Sequence, residues 1–479
     1  MTYRISLPLV FFIISFFNLK AQELTFRGDT AIAMDQLGWD VAMIDDFAVS
    51  VAKTKTINYN GQRIERAGSV YLHKKVGKDW VYQKRLTCSS PRPSDDFGRS
   101  VAISEKYLIV GAEGYDREPQ NRSAHSEGAV FIYVRNGDSY DYKHELFLEN
   151  AVSNTRFGEK VALGDDYLAV VCNYPIDRPD GKKSSGAVLV YKLSKRLPPQ
   201  KIGIHISDRA TSSMEYAIDI HGDLLVVGES GNRVSVYELE DESVKLIQEL
   251  LPETSNINGF GDDVAISDSF IVMGTSGGEY DFYDVEFDSK VDSLYTLAML
   301  DEKAGRFTMK YIQNNQAVLD SFHITQEDFR AKAKPYETWE EYSARKGGAG
   351  EVLVYKKGKK GFEIVQTLQA SDRQADDNFG MRVEIEGDLI MVGAFGKAGN
   401  KGGKKEDRFA GAAYAFKLNK GKWTEVQKYQ EQTPKGWDKF GFSVACCKDD
   451  IMIGCRLKDV EKDGTLIEDA GTVYFYKKP

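Results

Sequence analysis

The stretch that decides the fold is residues 97–112, which reads Phe97-Gly98-Arg99-Ser100-Val101-Ala102-Ile103-Ser104-Glu105-Lys106-Tyr107-Leu108-Ile109-Val110-Gly111-Ala112. Two short apolar runs flank the polar pair Glu105-Lys106, and a two-residue turn of this kind is typical of a β-hairpin. The same 16-residue frame starts again, without gaps inside a copy, at Leu37, Phe157, Met214, Phe260, Phe379 and Phe440. Because a recurring hairpin buries its faces only by stacking on its neighbours, the pattern predicts a repeat protein.

A third strand follows each hairpin, as in residues 128–133, which read Gly-Ala-Val-Phe-Ile-Tyr. A more polar fourth strand comes next, as in Trp80 to Leu86. Four antiparallel strands per unit, repeated radially, describe the blades of a β-propeller. The predicted fold is therefore all-β, with residues 22–479 forming one propeller domain.

These repeats resemble the FG-GAP repeat family, the repeat of integrin α-subunit propellers and of many secreted bacterial proteins. Five Phe-Gly pairs carry the first half of the signature: Phe97-Gly98, Phe157-Gly158, Phe260-Gly261, Phe379-Gly380 and Phe440-Gly441. Gly111-Ala112 and Gly393-Ala394 carry the second half. The resemblance covers nearly all of the chain after residue 21, and it implies partner binding on the face that integrin propellers use.

The number of blades depends on the long interval between Phe260 and Phe379. Residues 307–319 look like a degenerate hairpin with an Asn314-Asn315 turn, and the third strand at Gly350 is then assigned to that copy. This interpretation predicts eight blades with a degenerate sixth, and seven is the alternative. The last repeat stops after its third strand, so Glu23 to Arg27 is predicted to supply the missing strand beside Val473 to Tyr476, which closes the ring and removes an open edge.

The composition and the N-terminal sequence bear on the location of the protein and on the class of its partner. Residues 1–21 resemble a signal peptide, with an apolar run from Ile5 to Phe17, which predicts a secreted, periplasmic or cell-surface protein. No other segment is predicted to span a membrane. The net charge of −9 argues against nucleic acid as the partner. The five cysteines show neither metal spacing nor a disulfide framework, and they are interpreted as small buried hydrophobes.

Candidate binding residues lie in the loops between the second and third strands, which are long and varied, whereas the hairpins of the opposite face are minimal. The longest loop, 322–349, is predicted to be partly helical. The candidates mix aromatic and charged side chains, as interfaces do: Tyr115, Asp116, Arg117, Arg122, Tyr174, Asp177, Arg178, Trp339, Tyr342, Arg345, Lys404 and Arg408. For each candidate the alternative is that its side chain is solvated or packs against the protein and binds no partner.

No metal, cofactor or catalytic residue is assigned. The two-residue turns lack the acidic loop of calcium-binding FG-GAP repeats, and calcium needs six to eight oxygen ligands. Asp219 and Glu384 stand where other copies have alanine, so they are expected to line the channel or pair with neighbours such as Arg382; acid–base work on a sugar is the alternative.

The predicted function is a binding or adhesion module for a protein or glycan, and the protein is not predicted to be an enzyme. The alternatives are a polysaccharide lyase or glycosidase on a propeller scaffold, and a structural component of a surface assembly. A convergent cluster of charged and aromatic side chains at the channel mouth would favour the enzyme, whereas scattered loop chemistry favours binding.

Overall fold

The computed structural model describes residues 24–28, 31–117, 126–149, 151–172, 186–194, 198–206, 216–229, 233–252, 259–275, 349–374, 376–399 and 408–479. The strands up to residue 206 are β1 (Leu24–Phe26), β2 (Leu37–Met43), β3 (Phe47–Ala52), β4 (Ile57–Tyr59), β5 (Gln62–Ile64), β6 (Ser69–Val76), β7 (Asp79–Leu86), β8 (Phe97–Ile103), β9 (Tyr107–Ala112), β10 (Ala129–Asn136), β11 (Ser139–Leu146), β12 (Val161–Leu163), β13 (Tyr167–Cys172), β14 (Ala187–Lys192) and β15 (Gln200–Ile206). The later strands are β16 (Tyr216–His221), β17 (Leu224–Glu229), β18 (Arg233–Glu240), β19 (Ser243–Leu250), β20 (Asp263–Ile266), β21 (Phe270–Thr275), β22 (Glu351–Gly358), β23 (Gly361–Leu368), β24 (Arg382–Glu386), β25 (Leu389–Ala394), β26 (Ala412–Asn419), β27 (Lys422–Tyr429), β28 (Phe440–Cys446), β29 (Asp450–Cys455), β30 (Val460–Lys462), β31 (Thr465–Ile467) and β32 (Thr472–Lys477).

These strands form a ring of blades, each a four-stranded antiparallel sheet. From the innermost strand outward, blades 1 to 7 are β2-β3-β6-β7, β8-β9-β10-β11, β12-β13-β14-β15, β16-β17-β18-β19, β20-β21-β22-β23, β24-β25-β26-β27 and β28-β29-β32-β1. The innermost strand of every blade lies against that of the next, and β28 lies against β2, so the ring is closed. The short hairpins β4-β5 and β30-β31 extend from the loops of blades 1 and 7.

The burial of the strands explains their composition. The second strand of a blade packs against neighbouring blades on both of its faces, and every residue of β9 is buried. The backbone N–H of Ser104 donates to the carbonyl of Tyr107 at 2.8 Å and closes the predicted Glu105-Lys106 turn. The equivalent bond joins Ile44 to Phe47 in blade 1 and Gly164 to Tyr167 in blade 3. The two-residue hairpins are therefore confirmed in these blades.

The Phe-Gly signature is explained by contacts between blades. Phe157 is fully buried, and its backbone N–H bonds to the carbonyl of Glu127 in the preceding blade. Gly128 faces Phe157 across this junction with φ of +84°, and a Cβ atom there would lie 2.2 Å from the Phe157 nitrogen. Only glycine permits this approach and this backbone conformation together.

The described residues form seven blades, the alternative count, rather than the favoured eight. Strand β21 pairs directly with β22, so the third strand at Gly350 belongs to the blade that begins at Phe260, and its assignment to a separate sixth repeat is wrong. The Val383 N–H of blade 6 bonds to Asp263 of blade 5 at 2.9 Å, so these blades are direct neighbours. The physical reason is that residues 276–348 are an insertion between two strands of one blade. The predicted hairpin at 307–319 and the loop candidates at 322–348 lie outside the described residues.

The predicted closure of the ring is confirmed. In blade 7, β1 takes the outermost position, with Leu24 opposite Phe475 and Phe26 opposite Val473. The Thr472 hydroxyl donates to the Phe26 carbonyl at 2.9 Å. The ring therefore joins the two ends of the chain within one sheet.

All five cysteines are buried and free, as their interpretation as small hydrophobes requires: Cys88, Cys172, Cys446, Cys447 and Cys455. Residues 1–23, which include the predicted signal peptide, lie outside the described residues. Within the described part of the chain, no helix combines the length and the apolar character that crossing a membrane requires.

Candidate functional site

The central channel is lined by the innermost strands and has a volume of about 250 Å³. Three of its carboxylates bind the backbone of the following blade. Asp40 accepts from the Val101 N–H at 2.9 Å and Asp219 from the Ile266 N–H at 2.8 Å. Asp263 likewise accepts from the Val383 N–H of blade 6 at 2.9 Å. These carboxylates satisfy amides on the exposed edges of the inner strands, so their geometry supports the ring.

Asp219 and Glu384 both line the channel, which was one of the two positions predicted for them, the other being a pairing with neighbours such as Arg382. Burial raises the pKa of Asp219 to about 7. Burial also raises the pKa of Glu384 well above its usual range, with further contributions from the nearby charges of Asp219 and Asp263. Two carboxylates that share one space disfavour double ionisation, and of the two Glu384 also experiences the charges of both Asp219 and Asp263.

One end of the channel carries a cluster that we call the channel mouth. Most of its side chains come from two places in the repeat, the third residue of the 16-residue frame and the residue just after the frame ends; Arg382, the fourth residue of its frame, joins them. The members are Trp39, Lys53, Arg99, Glu113, Glu159, Arg382, Phe395, Phe442 and Arg456, most of them around a hollow of about 200 Å³. Because the second strands end here, the channel mouth lies on the face that carries the long loops.

At the centre of the mouth, one arginine stacks on two aromatic rings. The Arg456 guanidinium lies 4.0 Å from the centroid of Phe442 and 4.7 Å from that of Trp39. The two rings are themselves 5.5 Å apart. Cation–π contacts of this kind hold a guanidinium in a fixed place while its edge still has donors to offer.

Arg99 and Lys53 are neutralised by acidic neighbours, whereas Arg456 is not. Glu113 binds Lys53 at 2.8 Å and Arg99 at 2.9 Å, and Arg99 reaches Glu159 at 3.3 Å. In the described residues Arg456 makes no ion pair, and its buried Nε has no hydrogen-bond partner. Burial, together with the like charges of Arg382 and Arg99, lowers the pKa of Arg456 to about 10.

Further aromatic and cationic side chains continue from the mouth toward the rim of the ring. Phe395 lies 5.5 Å from Phe442, and the Lys439 ammonium lies 5.4 Å from Phe395 and 5.7 Å from Phe409. Trp437 packs against Phe409 with ring centroids 4.8 Å apart, and it is 54% exposed. Burial lowers the pKa of Lys439 to about 8, with a contribution from Arg456. We call Lys439, Phe409 and Trp437 the rim extension.

The channel mouth and the rim extension together suit an anionic ligand. The ring faces of Phe442 and Trp39 are already covered by the protein's own cations, so they are closed to a cationic partner. The N–H donors of Arg456 and Lys439 remain available to a ligand, and the negative charge of Asp469 only partly offsets their positive charges. Among the described residues no group of three or more His, Cys, Asp or Glu side chains has the geometry to hold a metal ion.

The sequence-predicted candidates occupy different positions. Tyr115 is buried and packs on Phe131 at 5.4 Å. Asp116 accepts from the Glu127 N–H at 3.3 Å, and exposed Arg117 lies 4.5 Å over the Phe147 ring. The Arg408 carbonyl accepts from the Trp437 N–H at 2.8 Å, which places Arg408 beside the rim extension. The other candidates lie outside the described residues: Arg122, Tyr174, Asp177, Arg178, Trp339, Tyr342, Arg345 and Lys404.

The residues of the channel mouth were not among the sequence candidates. A signal for them exists, because the third position of the frame is the most variable one in an otherwise regular repeat: Trp39, Arg99, Glu159, Tyr216, Asp262, Met381 and Phe442. Six of these seven side chains, all except Asp262, line the hollow at the channel mouth.

Comparisons with known proteins agree with this architecture. The model of the FG-GAP repeat matches residues 80–133 and 362–416, each running from the fourth strand of one blade to the third strand of the next. No curated protein is similar enough in sequence to count as a match. Among solved structures, Saccharomyces cerevisiae Sqt1 is similar at 10% identity over 94% of this chain and 98% of that chain, with a TM-score of 0.40, a likeness too low to support any argument. The chain is therefore a β-propeller that matches the FG-GAP repeat at two places, which is consistent with an FG-GAP repeat propeller.

Proposed function

We propose that this protein is a secreted, periplasmic or cell-surface binding module that recognises a protein or glycan ligand through its long-loop face. The observation that carries the proposal is the stack of Arg456 on Trp39 and Phe442 at the channel mouth on that face. Charged and aromatic side chains do converge there, as expected for an enzyme, but the acidic members Glu113 and Glu159 are held in ion pairs by Lys53 and Arg99, which favours binding. Tryptophan and arginine are the residue types that dominate binding energy at interfaces. The opposite face consists of two-residue turns, which offer little distinctive surface.

The test is a screen of the purified chain on a glycan array, together with pull-downs of surface proteins, followed by repetition of every positive result with Trp39→Ala and with a control. Val81→Ala is a suitable control because Val81 is 46% exposed on the outer strand β7, away from the mouth. We expect Trp39→Ala to weaken binding at least about tenfold, the loss typical of a binding hot spot. Equal binding by both variants would contradict the assignment of the mouth.

The long loop at 322–349 stays part of the proposal. Nearly all of it falls within residues 276–348, which join the second and third strands of blade 5, and it carries Trp339 and Arg345. Replacing both with alanine is expected to weaken ligand binding while the melting temperature stays nearly unchanged. A collapse of stability would show instead that the loop packs on the blade edge.

The location is tested separately. N-terminal sequencing of the protein recovered from outside the cytoplasm is expected to begin near Gln22, after removal of residues 1–21. Recovery of the intact N-terminus in the cytoplasm would contradict the proposed export.

A polysaccharide lyase is the second candidate, because the charged and aromatic side chains do converge at the mouth. Lys439, whose pKa burial lowers to about 8, has the basicity that a proton-abstracting group needs. A glycosidase is less well supported: Glu113 is bound by Lys53 and Arg99, and its pKa is lowered despite burial, whereas a general acid must keep its proton. Incubation with polygalacturonate distinguishes binding from lysis, since only a lyase generates the ultraviolet absorbance of an unsaturated product.

A further inference from the structure

Building on the proposed binding function, we infer that the channel mouth and the rim extension bind an acidic polysaccharide, with Arg456 and Lys439 contacting its carboxylate groups and Trp437 stacking on a sugar ring. The inference gives the ligand a chemical class: a chain of uronate-type sugars. It rests on three observations. Arg456 makes no ion pair within the described residues, the site offers mainly hydrogen-bond donors, and the Trp437 ring is exposed at its outer end.

The first step is the state of Arg456. Its guanidinium is half-buried, its buried Nε has no partner, and the nearest charged groups include the like charges of Arg382 and Arg99. A buried charge without an acceptor is costly, and the cost is recovered when an anion arrives. A carboxylate fits a guanidinium because two parallel N–H bonds reach its two oxygens.

The second step is the kind of chain that carries the carboxylate. Arg456, Arg382 and Lys439 offer only donors, and the acidic groups Glu113 and Glu159 are engaged by Arg99. A peptide backbone brings an N–H donor at nearly every residue, and each needs an acceptor when buried. An acidic sugar chain brings carboxylate, ring and hydroxyl oxygens, and it therefore suits a surface of donors better than a peptide does.

The third step is the aromatic ring at the outer end. Trp437 packs on Phe409 and is 54% exposed, the largest exposure of any tryptophan in the described residues. An exposed indole face offers the apolar CH face of a sugar a place to stack. Between Trp437 and Arg456, Lys439 lies over the rings of Phe395 and Phe409. Ring and cation therefore alternate along the site, as neutral ring faces and carboxylates alternate along a polyuronate.

The overall charge sharpens the inference. The protein carries a net charge of −9, so a polyanion is repelled by most of the surface and attracted where cations cluster. Binding by such a cluster weakens as salt is added, because exposed charges are screened. We therefore expect the affinity for an acidic polysaccharide to fall between low and physiological ionic strength.

The experiment is calorimetric titration of the full chain with oligogalacturonate, a neutral dextran oligomer and oligoglutamate. We expect oligogalacturonate to bind and Arg456→Gln or Lys439→Gln to weaken it about tenfold each, the effect of losing one charge-assisted contact. The matched controls are Arg63→Gln and Lys435→Gln. Arg63 is an exposed arginine on the same face outside the mouth, and Lys435 is exposed on the same connector as Lys439. Neither control is expected to change the affinity measurably.

Three outcomes would overturn the inference: no binding of oligogalacturonate, equal binding by Arg456→Gln, or tighter binding of oligoglutamate. If Arg456→Gln fails to fold, Lys439→Gln and Lys435→Gln carry the test alone. If the wild-type chain instead binds a neutral glycan or a protein through the same face, the ligand class is wrong while the proposed binding function stands. If no ligand of any class binds that face, both fail.

Discussion

At the scale of single residues, the carboxylates of the inner strands show how a buried charge is accommodated in this ring. Asp219 binds the backbone N–H groups of Ile220 and Ile266, both at 2.8 Å, and so joins blades 4 and 5. Glu384 faces the same channel, and the negative charges of Asp219 and Asp263 raise its pKa further. The consequence is a stability that depends on pH.

We expect Glu384→Gln to stabilise the protein at pH 8 and to change little at pH 4. The pKa of Glu384 is raised in the folded state, so the folded protein resists its ionisation; wild-type stability falls as pH rises from the unfolded pKa through the folded one. A rise of one pKa unit corresponds to about 1.4 kcal/mol, and a gain of at least about 1 kcal/mol at pH 8 is expected. Denaturant unfolding at both pH values measures it. A variant less stable than wild type at pH 8 would contradict this account.

A second residue-scale prediction concerns the glycine before the third strand. Gly128→Ala forces a Cβ atom to within 2.2 Å of the Phe157 nitrogen at a φ of +84°, and we expect a loss of at least about 2 kcal/mol. Gly137→Ala is the matched control, because Gly137 has φ of +59° but nothing within 4 Å. It is expected to cost about 1 kcal/mol. Equal losses would mean that backbone conformation, not contact between blades, is what requires glycine at Gly128.

At the scale of elements, the N-terminal strand β1 completes a sheet whose other members come from the C-terminus. Besides its pairing with β32, it places Phe26 against blade 1, with ring centroids 4.7 Å from His73 and 5.3 Å from Tyr71. Burial lowers the pKa of His73 to about 3, so this histidine is neutral and packs as an aromatic ring. The strand therefore links blades 7 and 1 as well as covering an edge.

Deleting residues 22–27 is expected to lower the melting temperature by several degrees and to promote aggregation. The deletion exposes the edge of β32 and removes Phe26 from its contacts, and an unpaired edge is a template for pairing with another chain. Phe26→Ala separates the two effects, since it keeps the backbone pairing and is expected to lower stability without aggregation. Light scattering and thermal melts distinguish them. An unchanged melting temperature in the deletion would contradict the closure as a source of stability.

At the scale of the whole molecule, the seven blades of the described residues surround the channel, and the loops of one face vary in length whereas the two-residue turns of the other do not. The turns of the opposite face are closed by single backbone bonds such as Ser104 to Tyr107. Regular turns on one side and insertions on the other give a rigid scaffold with one adaptable surface. The proposed binding function follows from this asymmetry.

We expect folding of the whole ring to be independent of calcium. Two-residue turns such as Glu105-Lys106 supply too few oxygen ligands for the ion. Thermal unfolding with a chelator and with added calcium should give the same midpoint, and a change in ligand affinity under the same conditions would report an ion in the long loops. A calcium-dependent rise of the midpoint by several degrees would refute the prediction.

The sequence by itself determined the blade. Strand alternation, the two-residue turns and the Phe-Gly pairs are local patterns that neighbouring residues fix, so the four-stranded unit was predictable. The closure by Glu23 to Arg27 was predictable for a different reason: the last repeat lacks its fourth strand, and a strand-like stretch precedes the first repeat. The blade count was not, because whether residues 276–348 form a blade or an insertion depends on which strand β22 pairs with, and strand pairing is a long-range choice. The channel mouth also depends on long-range contacts that only the tertiary structure shows. Trp39, Phe442 and Arg456 lie up to 417 positions apart in the chain, and closure of the ring alone brings them into contact.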